Sequence, residues 1–137
     1  GQQWERALKL LAQMEDRGVR PNVVSYSAAI SACEKGHQWE RALELLDQME
    51  LHGVKPDVMT YSAAISACAK GQQWERALQL LAQMEVRGVR RDVISFNAAI
   101  SACAKGQQWE RALELLAEMQ ANGVQPDVIS YNTTISA

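Results

Sequence analysis

The chain has 137 residues, 47% hydrophobic and 22% charged, the balance of a folded domain rather than a disordered one. No apolar stretch approaches the ~20 residues that span a bilayer, and the opening Gly1-Gln2-Gln3-Trp4-Glu5-Arg6 lacks the apolar core of a secretory signal. No membrane partner is expected. A net charge of −2 exerts no overall pull on nucleic acid, so any basic surface has to be a local stripe.

Residues 1–17 carry helical apolar spacing around Trp4 and Met14, and Gly18-Val19 ends the run. From Val23 to Lys35 a second helix is predicted. At ~100° per residue, Val23, Tyr26, Ala29, Ile30 and Cys33 share one side, while Val24, Ser27, Ala28, Ser31 and Lys35 share the other. Gly36 stands where a helix C′ residue would, and Asp57 precedes the next helix as an N-cap. A third helix is predicted from Gln38 to about His52. Its apolar residues Trp39, Ala42, Leu43, Leu45, Leu46 and Met49 cover more than one stripe, so it has to be buried against its own partner helix and against the next unit. Glu40, Glu44, Asp47 and Glu50 take its outer face, with Gly53 and Pro56 ending it.

The rest of the chain repeats this pair. Trp4, Trp39, Trp74 and Trp109 each stand 35 residues after the last, as do Met14, Met49, Met84 and Met119. The units are 23–57, 58–92 and 93–127, flanked by a leading half (1–22, second helix only) and a trailing half (128–137, first helix only). A period of this size means one supersecondary unit stacked on copies of itself, here an all-α solenoid of αα-hairpins. Neither half has the polar outer face of a capping helix. The expectation is a piece of a longer array, or a chain whose ends stack on something.

Cys33, Cys68 and Cys103 share one register. Equivalent helices lie roughly 10 Å apart, too far for a disulfide, which needs Cα atoms within ~7 Å; the thiols should be reduced core groups. His37 and His52 have no partners at ligand spacing, so no metal is expected. The tryptophans read as packing residues, and Glu40-Arg41 with its copies as a solvated face. No nucleophile–base set or Gly-rich phosphate loop is visible, so no catalytic residues, cofactor or small-molecule substrate are expected.

The unit V-x-S-Y-S-A-A-I-S-A-C-x-K-G-x-x-W-E-R-A-L-x-L-L-x-x-M-x-x-x-G-V-x-P-D closely resembles the pentatricopeptide repeat family, and the resemblance covers the whole chain. Uniform 35-residue spacing is similar to the P-type subclass; tetratricopeptide repeats differ in period and in placing Trp early in the first helix. The resemblance implies a right-handed superhelix that binds single-stranded RNA, in mitochondria or plastids, one base per repeat. It implies base reading by the fifth and last residues of each repeat and sandwiching by the second. Those are Val24, Ser27 and Asp57, then Met59, Ser62 and Asp92, then Ile94, Asn97 and Asp127. The leading half supplies Asn22, the trailing half Ile129 and Asn132. By the family's code, Ser with Asp prefers guanine and Asn with Asp uracil, giving 5′-G-G-U-3′ and then a pyrimidine. Lys35, Lys70 and Lys105 are placed to meet phosphates.

Residue chemistry agrees with this assignment without requiring it. Ionised Asp accepts hydrogen bonds only, which suits the central N–H of guanine or uracil, and an aliphatic ladder can cover base faces. Helix capping accounts for Asp57, Asp92 and Asp127 equally well, and dipole compensation accounts for the lysines. A protein-interaction scaffold, binding a peptide in the groove or stacking end to end, is the alternative. Arg91 stands where Pro21, Pro56 and Pro126 stand in the other units, so a looser turn and an added charge beside Asp92 are expected. Thr133-Thr134 in place of Ala-Ala suggest a looser final contact.

Overall fold

The computed structural model describes residues 3–135. Its helices are α1 (Gln3–Asp16), α2 (Val23–Lys35), α3 (Trp39–Leu51), α4 (Val58–Lys70), α5 (Trp74–Val86), α6 (Val93–Lys105), α7 (Trp109–Ala121) and α8 (Val128–Ile135). They form two layers. In the inner layer α2, α4, α6 and α8 pack on one another in sequence. In the outer layer α3, α5 and α7 each pack on their own unit's inner helix and on the next one, and α1 packs on α2; side chains of successive outer helices also meet. Both partners foreseen for the second helix are present.

Side-chain size explains the layering. The inner helices are rich in Ala, Ser and Cys, which let backbones approach closely, and their apolar stripe of Tyr26, Ala29, Ile30 and Cys33 is buried. The outer helices bring Ala42, Leu45, Leu46 and Met49 to the same interior. Each fully buried Leu, Ile or Met adds about 1.5–3 kcal/mol of transfer free energy. Burial holds the Cys68 and Cys103 thiols in the neutral form, each pushed up to about 11; all three cysteines are free and buried.

Both helix types end in a Schellman turn, built differently. After the outer helix, Gly53 takes the left-handed conformation at φ 79°, while Val54 N–H reaches Met49 C=O at 2.8 Å. After the inner helix the left-handed residue is His37, Gln72 or Gln107, each at φ 59°. Gly36 itself has φ −87°. Gly36 is therefore the last half-helical residue, not the C′ residue expected, and something other than backbone torsion requires a glycine there.

That requirement is the preceding unit's tryptophan. A Cβ on Gly36 would overlap Trp4 Cδ1, and Gly71 and Gly106 stand in the same relation to Trp39 and Trp74. Arg41 also lies 4.9 Å from the Trp4 ring centroid, Arg76 5.4 Å from Trp39 and Arg111 5.3 Å from Trp74. Each of these indoles thus meets both a glycine that ends the next inner helix and an arginine of the next outer helix. The arginine of Trp-Glu-Arg, expected to be merely solvated, is a cover for the tryptophan one unit back. Trp109 has no such cover among the described residues and is 55% exposed.

Candidate nucleic-acid interface

The inner helices begin at residues with extended backbone: Asn22, Asp57 and Asp92 are N-caps with φ between −115° and −109°. In each, the side-chain Oδ1 accepts from the backbone N–H three residues on, at 3.0 Å from Ser25, 3.0 Å from Thr60 and 2.9 Å from Ser95. The hydroxyls of those same three residues accept from the cap backbone N–H, closing a capping box. Asp127 does the same for α8 through Ser130. The capping role of the aspartates is real, and it engages Oδ1 alone. Oδ2 of Asp57, Asp92 and Asp127 accepts no hydrogen bond among the described residues. The backbone N–H of Ser130, then its hydroxyl, then the Asn97 amide hold the Asp127 carboxyl below its usual 3.8.

One residue into each inner helix, opposite the buried stripe, stand Val24, Met59, Ile94 and Ile129, with 69%, 67%, 62% and 62% of their surface exposed. Core packing does not explain four large aliphatic side chains kept in water at one register. One turn further come Ser27, Ser62 and Asn97. Asn97 Nδ2 donates to Asp127 Oδ1 at 3.2 Å, so the fifth and last residues of that unit touch. The Ser130 hydroxyl also meets Asn97 Oδ1. Ser27 is half-buried and Asn132 exposed. Ser62 departs from the expected open floor: it is 8% exposed, and its enclosed hydroxyl has no hydrogen-bond partner. The serine is shorter than Asn97 and sits on α4, which has an inner helix on both sides.

The three lysines end the inner helices and are exposed, but they are not equivalent. Lys70 Nζ lies 2.7 Å from Glu34 Oε2, and Glu34 Oε1 accepts from Ser66 Oγ at 3.2 Å. Lys35 and Lys105 have no ion-pair partner among the described residues. Glu34 was not singled out in the sequence, although it breaks the repeat at a register otherwise held by Ala69 and Ala104.

Arg91 corrects another expectation. It is only 7% exposed. Its guanidinium lies 3.2 Å from Glu85 and 2.9 Å from Glu118, donates to Asn122 Oδ1 at 3.3 Å, and sits 5.0 Å from the Phe96 centroid. The cause is a second change, in the unit that follows. Tyr26 bonds His52 through its hydroxyl at 3.0 Å, but Phe96 has no hydroxyl for the equivalent Asn122, and Arg91 fills the gap. The turn before Asp92 is pinned by charge where the other units use a proline.

Residues 9–71 match the family model of the pentatricopeptide repeat domain, 59–89 that of the PPR repeat, and 91–137 that of the PPR repeat family. The chain belongs to the pentatricopeptide repeat family. Among solved structures it is similar to the pentatricopeptide repeat protein PPR10 in complex with an 18-nt psaJ RNA element, at 33% identity over 98% of this chain and 20% of that one, TM-score 0.86. PPR10 from maize matches at 35% identity over 96% of this chain and 19% of that one, TM-score 0.84. The PPR domain of Arabidopsis thaliana protein-only RNase P 1, in complex with tRNA, shares the fold at 19% identity, covering 97% and 70%, TM-score 0.86. This pentatricopeptide repeat chain spans about a fifth of the PPR10 chain. Among curated proteins none matches it.

Proposed function

We propose that this chain binds single-stranded RNA along its inner-helix face, one base per repeat, preferring 5′-G-G-U-3′ followed by a pyrimidine. The observation that carries the reading is the exposed ladder of Val24, Met59, Ile94 and Ile129, each rung beside a cap. A base entering between rungs removes apolar surface from water on both of its faces. The edge of that base then meets the cap residue. Asp57 and Asp92 offer an unused Oδ2, an acceptor for the central N–H of guanine, with Ser27 and Ser62 as the fifth residues. Asn97 with Asp127 makes the uracil pair, Asn132 the pyrimidine reader, and Asn22 the remnant of an incomplete one. The similarity to PPR10, which is solved in complex with an RNA element, supports the ligand class. No catalytic step is assigned to these residues, and the family resemblance gives an organellar setting.

At ~1–3 kcal/mol per stacked base, three or four bases give about 3–12 kcal/mol, which at best roughly offsets an association cost of ~4–15 kcal/mol, so binding by these repeats alone is weak. Fluorescence anisotropy at low salt tests the code. An RNA bearing GGU outcompetes one bearing AAC; equal competition overturns the assignment.

A further inference from the structure

Ser62, Ser66 and Lys70 follow one another at intervals of four residues and so run up one side of α4. Glu34, in the last turn of α2, reaches across to the upper two. Its Oε2 lies 2.7 Å from Lys70 Nζ and its Oε1 accepts from Ser66 Oγ at 3.2 Å, leaving the side chain 19% exposed. A compact oxyanion held between a hydroxyl and an ammonium is how a phosphate is held as well. The same two donors recur on α6 as Ser101 and Lys105. Across from them stands Ala69, which is buried and carries no charge; Lys105 is exposed and has no ion-pair partner among the described residues.

The geometry points to an anion seat for an RNA backbone phosphate, made of a serine hydroxyl and a lysine ammonium one turn apart, which the chain's own Glu34 occupies at Ser66–Lys70 and leaves open at Ser101–Lys105. This rests on the RNA-binding reading. A phosphate reaching Lys70 has to displace a carboxylate that then repels it, so backbone attraction is uneven along the groove. Glu34 sets that unevenness, and with it the salt dependence of binding.

The test compares the unsubstituted chain with Glu34→Ala. Alanine occupies this register in the next two units and favours helix; circular dichroism checks that the fold is kept. A labelled single-stranded RNA containing GGUC is titrated by anisotropy from about 50 to 200 mM KCl, where one additional phosphate contact steepens log K against log[salt] by about 0.7, or ~2.6-fold more affinity lost over that range. Glu34→Ala shows that steeper slope and binds more tightly at the low-salt end, and adding Lys70→Gln returns the slope to its original value. Retained binding with equal slopes overturns the seat and leaves the RNA reading standing. A steeper slope that Lys70→Gln fails to reverse also overturns it, as a general charge effect. No binding by either chain at the lowest salt fells the RNA reading, and the seat with it.

Discussion

Replacing Gly71 with alanine isolates the contact that joins one unit to the next. Gly71 has φ −87° and ψ 5°, which alanine adopts freely, and the reduced freedom of the unfolded chain favours folding by about 0.4–1 kcal/mol. Against this, the new Cβ overlaps Trp39 Cδ1 and stands 2.7 Å from Cγ and 2.9 Å from Nε1. An indole that shifts to relieve this overlap also disturbs its contact with Arg76, whose guanidinium lies 5.4 Å from the ring centroid. Overpacking of this kind costs about 1–3 kcal/mol, and the lost cation–π contact about 0.5–1 kcal/mol. The expected net effect is a loss of about 1–3 kcal/mol, read from urea unfolding by circular dichroism at 222 nm. In a Trp39→Ala background the clash disappears, so Gly71→Ala becomes neutral or stabilising by about 0.4–1 kcal/mol. A loss of equal size in both backgrounds refutes the reasoning, because it would place the requirement in the backbone rather than in the indole.

Asp57→Asn keeps a good N-cap, so stability shifts by a few tenths of a kcal/mol at most, while the first repeat's preference moves from guanine to adenine. Competition among single-base RNA variants measures this, and an unaltered preference makes Asp57 a cap alone. Arg91→Ala removes a buried stem and bares Phe96, but its partners Glu85 and Glu118 remain hydrated at 65% and 42% side-chain exposure. The cost is therefore about 1–2 kcal/mol, below that of a fully buried pair; a change under about 0.3 kcal/mol in urea unfolding contradicts the pinning described. The Asp127 carboxyl titrates below 3.8 in the fold, so the α8 cap is fully formed above about pH 4 and is lost as pH falls through the lowered value. Amide exchange in α8 followed from pH 7 downward checks this, and loss of protection already near pH 5 counts against it.

The fold was legible because period and amphipathicity agree: one 35-residue register carries Trp, Met and Gly-Val, and the stripe from Tyr26 to Cys33 could face only inward. Capping by the aspartates was legible, but not how much of each carboxylate it leaves unused. A carboxylate has two oxygens, and only coordinates show that the helix engages one of them. Contacts between units stayed hidden. Arg41 looks solvated along its own helix, and nothing local announces that its partner is Trp4, one unit back. Arg91 stood out as a departure from the repeat and Glu34 did not, and the effects of both depend on Phe96, Asn122, Ser66 and Lys70, which only the packing brings near. The covered Ser62 hydroxyl was missed because helical phase gives direction, not how closely the two neighbouring helices approach.

The indole and its glycine pocket sit in different units, like a plug and a socket, and three consecutive junctions carry the same pair. A copying or deletion event that adds or drops a whole number of units therefore rejoins a plug to a socket of identical shape. Lineages can lengthen or shorten such an array without reinventing the joint.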